Sequence, residues 1–232
     1  MYDVKNYKSV YYYSDCEVLK NKFNIKDDVK LEKVERIITT SKVAELNQNP
    51  IKGNFDLKHL QKIHKFIFNN VYEWAGKIRT EEISKGNTNF APTPYILDGM
   101  KEQIFDPLRK ENFLKGLNAE DISKRLAYYY SELNFAHPFR EGNGRTQREF
   151  IKNLAAKNGF VLDWNKANPD KLMRATVSAT MGSDMKSGLE ELSKIILNCF
   201  DSREPNKDLI KDMKKFFEIG REIGRASCRE RV

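Results

Sequence analysis

The sequence predicts a mainly α-helical domain carrying one β-hairpin. Apolar residues recur at three- and four-residue spacing in segment after segment, one stretch between Lys77 and Ile96 breaks that period, and no internal repeat or low-complexity segment interrupts the chain. At 232 residues, 40% of them hydrophobic, the chain is long enough to bury one ordinary core.

Leu31, Val34, Ile37 and Ile38 mark a first helix, and Leu57, Leu60, Ile63, Ile67 and Phe68 a second. On the second, His59 and His64 are read as packing or surface residues, since no carboxylate pattern flanks them as metal ligands would require. Ile78, Thr80 and Ile83 then alternate, followed by Lys85-Gly86-Asn87-Thr88-Asn89, Phe90 and the prolines Pro92 and Pro94, a hairpin signal. A hairpin inside a helical domain has an unpaired edge that can take up an extended peptide; a plain connecting hairpin reads equally well. Further helices are expected at Ile104, Phe105 and Leu108, at Ile122 to Leu133, and at Phe150 to Ala155 with Gly159 as C-terminal cap. Leu172, Met173 and Val177, then Leu189 to Cys199, mark two more. After the break at Pro205 an amphipathic stretch holds Leu209, Ile210, Met213, Phe216 and Phe217, and Tyr11-Tyr12-Tyr13 forms an aromatic patch against the core.

The division expected is a main domain over residues 1–204, with its core at about 50–200, and a C-terminal helix over 205–221. Residues 222–232 follow a near duplicate, Glu218-Ile219-Gly220-Arg221, and one reverse translation of them coincides with a common short-read sequencing adapter. They are set aside as an artefact of gene assembly, so the natural chain is expected to diverge near Glu222. The formal charge of +8 comes with Lys and Glu alternating as on solvated helix faces, and no helix-turn-helix, zinc finger or ribonucleoprotein signature turns it into a nucleic-acid reading. No signal peptide and no membrane-length apolar run is visible, so no membrane partner and a cytoplasmic protein are expected. Cys16, Cys199 and Cys228 lack the spacing of a disulfide framework, and Cys199 reads as core.

Chemistry concentrates in His137-Pro138-Phe139-Arg140-Glu141-Gly142-Asn143-Gly144-Arg145. A helix must stop before Pro138, which pushes His137 out of the α region, and a new helix begins around Gly144. Gly142 and Gly144 can aim successive N–H groups at one point beside a helix N-terminus, an anion cradle. Arg145 and Arg148, three apart, add guanidinium forks for phosphate oxygens. Glu141 would repel a phosphate unless a cation lies between, the usual setting of Mg²⁺ on one carboxylate plus substrate phosphates. His137 at the mouth of such a site can take a proton from an incoming hydroxyl, and Phe139 reads as a buried anchor. The constellation points to displacement at phosphorus.

The string from His137 to Arg148 resembles the Fic family signature HxFx(D/E)GNGRxxR with every specified position filled. Leu19-Lys20-Asn21-Lys22, Gly53-Asn54-Phe55-Asp56, His59-Leu60, Ile63-His64 and Tyr72 to Arg79 extend the likeness, which covers roughly Tyr11 to Phe200. The resemblance implies a helical bundle with a β-hairpin flap over the active-site loop, and transfer of AMP from ATP to a Tyr, Thr or Ser hydroxyl of another protein. It makes His137 the general base, Glu141 the Mg²⁺ ligand, and Phe139, Gly142, Asn143, Gly144, Arg145 and Arg148 the nucleotide-binding set. Asn143 and the nearby N–H groups would hold the α-phosphate, and both arginines would reach the β- and γ-phosphates. Lys85, Gly86, Asn87, Thr88 and Asn89 of the flap would register the target by strand addition.

Phosphate-transferring members of that family carry Lys where this chain has Gly144, which favours nucleotidyl transfer. Transfer of phosphate or another nucleotide, and a non-catalytic nucleotide-binding regulator, stay as alternatives. Self-silenced members carry (S/T)xxxE(G/N). Here Ser41 to Glu45 is followed by Leu46 and Ser187 to Glu191 by Leu192, so neither completes it. The resemblance therefore implies a toxin or effector controlled by a separate small antitoxin, acting in its own cell or delivered to another.

Overall fold

The computed structural model describes residues 3–4, 9–86 and 88–215, most of them helical. The long helices are α1 (Asp28–Gln48), α2 (Leu57–Phe68), α5 (Ala119–Ala136), α6 (Asn143–Lys157), α7 (Pro169–Met181) and α8 (Met185–Asn198). Between α2 and α5 lie the short α3 (Ile96–Met100) and α4 (Asp106–Lys110), joined by a π-helical turn, Lys101–Phe105. Asp27, Asp56, Asn118, Asn168 and Asp184 start α1, α2, α5, α7 and α8, each side chain accepting a backbone N–H of the first turn. The start of α6 differs, because Gly142 offers no side chain to cap it.

Helix α5 is the axis of the core. Its Ile122, Leu126, Tyr129 and Leu133 are fully buried, and it packs against α6, α7 and α8. Helix α2 brings Leu60, Ile63, Ile67 and Phe68, all fully buried, between α1 and α6. Each such side chain contributes roughly 1.5–3 kcal/mol relative to exposure. Helix α6 closes as expected at Gly159: with φ +88 it donates to Ala156 O while Phe160 N donates to Ala155 O. Tyr11, Tyr12 and Tyr13 pack on the core, and Cys199 is buried.

Two apolar stripes differ from expectation. On α1 the inward row is Leu31, Glu35, Thr39 and Leu46, while Ile37 is 72% exposed. On α7 the inward row is Leu172, Ala175, Thr176, Ala179 and Thr180, while Met173 and Val177 face outward. In both, polar side chains hold the inner register because they find hydrogen-bond partners there. Residues 207–215 are helical and return to the main body, where Asn206 N donates to Gly159 O and Met213 is buried. Phe216, Phe217, Cys228 and the tail set aside at 222–232 lie outside the described residues.

The hairpin is shorter than its alternation suggested. Only β2 (Ile83–Lys85) and β3 (Thr88–Asn89) form the ladder, with Ser84 opposite Asn89 and Lys85 opposite Thr88; Ile78 and Thr80 precede it as irregular chain. A third strand, β1 (Asp3–Val4), pairs antiparallel with β2, so β2 is central and one hairpin edge is taken. Lys85, Gly86 and Asn89 are exposed and Thr88 is half-buried, whereas Asn87 lies outside the described residues. No helix among the described residues is long and apolar enough to cross a membrane.

Candidate active site

His137 caps α5 in the left-handed region, φ 40 and ψ 58. Pro138 excludes the right-handed α region as expected, but the chain leaves it for a conformation that non-glycine residues seldom adopt. Arg79 holds it there: its Nε donates to His137 O at 2.8 Å and its backbone N to Pro138 O at 2.8 Å. The same guanidinium donates to Glu81 O and Ala91 O, tying the loop to both ends of the flap. The His137 ring stacks on Phe90 at 3.6 Å between centroids. Its Nδ1 lies 2.8 Å from Asn134 O. A carbonyl only accepts, so Nδ1 carries the proton and the neutral ring has its lone pair on Nε2. Burial, aided by the charges of Arg79 and Lys85, pushes this imidazole down to about 3, so it is neutral at physiological pH.

Gly142 begins α6 at φ +80, and a Cβ there would sit 2.2 Å from Phe68. Only glycine fits, for conformation and for space. Its N–H is taken by Glu141 Oε1 at 2.8 Å. The next three N–H groups, of Asn143, Gly144 and Arg145, have no intrahelical partner, no capping side chain and no acidic residue in the first turn. A 15-residue helix thus presents its positive end uncapped, a ready anion site. Gly144 is helical, and a Cβ there would meet only Arg148 Nη1, at 3.4 Å, so its smallness leaves the mouth of this site open.

Two residues of the expected nucleotide-binding set are engaged inside the loop. Phe139 is 1% exposed and stacks on His64 at 3.9 Å, so it anchors the loop and presents no face to a ligand. The Asn143 side chain is fully buried: its Oδ1 accepts from Phe139 N at 2.9 Å and its Nδ2 donates to Phe139 O at 2.7 Å. What Asn143 can still offer an anion is its backbone N–H. His64 completes the scaffold, accepting from Gly76 N at Nδ1 and donating from Nε2 to Glu141 O. His59 is buried likewise, its Nε2 within 2.8 Å of Ile51 O.

Glu141 lies beside the uncapped amides, with Oε1 3.8 Å from Arg145 Nη2. Burial first, then the nearby charge of Glu35, holds its carboxyl above the usual carboxylate range. A divalent cation would relieve both effects. Among the described residues no three His, Cys, Asp or Glu side chains converge, so a cation at Glu141 would draw its other ligands from phosphate and water, the habit of Mg²⁺. The two arginines differ in their ties. Arg145 donates to Glu35 Oε1 at 2.6 Å and Thr39 Oγ1 at 2.8 Å, with its guanidinium 4.6 Å over the Phe68 ring. Arg148 makes no side-chain hydrogen bond or ion pair among the described residues.

Sequence reading missed Glu35, Thr39 and the role of Arg79. A signal existed in Leu31, Glu35 and Thr39, which share one helical face, but a search for apolar periodicity passes over polar members of a buried row.

Comparison with known proteins places this geometry. Residues 54–155 match the model of the Fic/DOC family. The chain is 44% identical over 180 residues to protein adenylyltransferase VbhT of Bartonella schoenbuchensis, covering 76% of this chain but 37% of that one. It is 31% identical over 192 residues to the Escherichia coli K12 protein named probable protein adenylyltransferase Fic, covering 83% of this chain and 94% of that one. Among solved structures, the ADP-bound N-terminal Fic domain of a VirB-translocated Bep effector from Bartonella quintana matches with TM-score 0.74 and 26% identity, over 86% of this chain and 97% of that one. BepC of Bartonella tribocorum with bound AMPPNP matches with TM-score 0.72 and 26% identity, over 85% and 97%.

Proposed function

Because the chain belongs to the Fic/DOC family, we propose that it is a protein adenylyltransferase, moving AMP from ATP to a Tyr, Thr or Ser hydroxyl of a target protein. The observation that carries this reading is the uncapped start of α6, whose first amides lie six to eight residues after a neutral, pinned His137. The triphosphate lies against the N–H groups of Asn143, Gly144 and Arg145, with Arg145 and Arg148 on the β- and γ-phosphates. Glu141 holds Mg²⁺, which when bound offsets the charge of the triphosphate. The target hydroxyl passes its proton to His137 Nε2 as its oxygen bonds to the α-phosphorus; the bond from that phosphorus to the bridging oxygen breaks, and pyrophosphate leaves. The target segment adds as a strand to the flap at Lys85 to Asn89. A delivered effector fits relatives described as VirB-translocated effectors, and control by a separate antitoxin rests on the two incomplete inhibitory patterns at Ser41 to Glu45 and Ser187 to Glu191.

The test is incubation with ATP labelled at the α- or the γ-phosphate and a cell lysate. Label should enter protein from the α position alone and vanish in His137→Ala, while calorimetry shows that variant still binding ATP. Entry of γ label would make the chain a phosphotransferase, and no entry of either a binding protein.

A further inference from the structure

Helix α1 lies before the residues matched by the family model, yet it reaches the active-site loop through one buried carboxylate. Glu35 is 8% exposed, and each of its oxygens has a separate partner. Oε1 accepts from Arg145 Nη2 at 2.6 Å, and Oε2 accepts from the Tyr72 hydroxyl. One turn on, Thr39 Oγ1 accepts from Arg145 Nη1 at 2.8 Å and donates to Glu35 O at 2.8 Å. Phe68 lies beneath the guanidinium. Arginine has five N–H donors in a rigid plane, and these contacts engage one on each terminal nitrogen. The remaining donors stay available at a fixed orientation.

We infer that Glu35, with Thr39 and Tyr72 behind it, is a positioning residue that pre-orders Arg145 to receive the distal phosphates of the nucleotide. The inference rests on the assignment of Arg145 to the β- and γ-phosphates. A long side chain that must be ordered on binding weakens the complex, and one already held does not. Glu35, on α1, makes the shorter of the two carboxylate contacts of Arg145 Nη2, 2.6 Å against 3.8 Å to Glu141. Glu35 also lies near enough to Glu141 to push its carboxyl up, so its action through Arg145 is the part that disappears when Arg145 is removed.

The test uses ligands of different length on the full chain. Glu35→Ala should weaken AMPPNP with Mg²⁺ by about tenfold in calorimetry, the scale of one charge-assisted hydrogen bond, and leave AMP within about twofold. Glu35→Gln guards against a folding defect. Its amide oxygen can still accept from Arg145 and its NH₂ can face a turned Tyr72 hydroxyl, so it should melt near wild type and lose AMPPNP affinity to an intermediate degree. In the Arg145→Ala background, Glu35→Gln should have no further effect on AMPPNP. Equal losses for AMP and AMPPNP, an additive effect in the double variant, or unchanged AMPPNP affinity in both Glu35 variants would overturn the inference. Absence of AMP transfer by wild type would overturn the functional reading alone, since the comparison of ligand lengths needs no turnover.

Discussion

Arg79 Nε donates to the carbonyl oxygen of His137 at 2.8 Å, across 58 residues of sequence, and the same side chain binds the two ends of the flap. One buried guanidinium thus ties the left-handed backbone at His137 to both ends of the hairpin. Arg79→Lys keeps the charge but cannot span three carbonyls. It should lower stability by about 2–4 kcal/mol in urea melts and reduce kcat for transfer 10- to 100-fold, on the scale of a displaced catalytic group. AMPPNP affinity should stay within about threefold, because the α6 amides are not touched. A variant that loses nucleotide binding while keeping kcat would show that Arg79 serves the phosphate site instead.

The two loop glycines should part company. Gly142→Ala faces φ +80 and Phe68 at 2.2 Å from the new Cβ, so it should destabilise the fold by several kcal/mol and leave little active protein. Gly144 is helical with only Arg148 Nη1 near, and Ala there should stabilise α6 by up to about 1 kcal/mol. Its methyl group would stand at the mouth of the anion site, so ATP affinity should fall. A Gly144→Ala protein that melts higher and binds ATP unchanged would mean that the triphosphate approaches from elsewhere.

Much of this was legible in the sequence. The helical period located α2, α5, α6 and α8, because their inward faces are apolar. The loop residues from His137 to Arg148 were legible as chemistry, because glycine, histidine and arginine there serve no ordinary turn. Less legible were contacts made by polar residues over long separations. Glu35, Arg79 and Asn143 look like solvated or ligand-facing side chains, and only the fold shows them committed to carbonyls and to Arg145. The third strand was likewise hidden, since two residues at Asp3–Val4 carry no alternation.

All three histidines of the chain are buried and held neutral, with burial pushing His59 down to about 4 and His64 and His137 down to about 3. Their folded values lie below the ordinary value near 6.5. The stability they confer is therefore present above that pH and is lost as pH falls, because between roughly pH 4 and 6.5 the unfolded chain takes up protons that the native state refuses. The slope approaches about 1.4 kcal/mol per pH unit for each histidine. Burial pushes the carboxyls of Glu132, Glu141 and Glu149 upward and acts in the opposite sense. The direct measurement is thus an NMR titration, in which no histidine of the native protein should titrate above pH 5. A histidine resonance moving near pH 6.5 would contradict the neutral-base assignment if it were that of His137.

Strand β1 occupies the β2 edge of the flap sheet, where an extended target segment could otherwise pair. Deleting residues 1–8 should expose that edge and raise the rate of target modification several-fold at low target concentration, with the KM for ATP unchanged. No change in rate would mean that the target docks on β3 or away from the sheet.

The control proposed for this chain, by a glutamate from outside it, would act on Arg148. Its guanidinium makes no ion pair or hydrogen bond among the described residues, and its backbone carbonyl is anchored by Trp164 Nε1 at 3.1 Å. The two glutamates of the incomplete inhibitory patterns do not reach it. Glu45 is exposed and pairs with Lys42 at 2.8 Å, and Glu191 is exposed on α8. Arg148 is thus available both to a γ-phosphate and to a glutamate brought by another protein. The chain trimmed of residues 222–232 should accordingly be active when expressed alone and slow the growth of its host. Arg148→Ala should reduce transfer by about one to two orders of magnitude, the worth of one charge-assisted bond. Glu45→Gly and Glu191→Gly should leave the rate of the trimmed chain unchanged. A chain that is inert alone and awakened by either glycine substitution would show that the silencing glutamate is its own, and that no antitoxin is needed to explain its control.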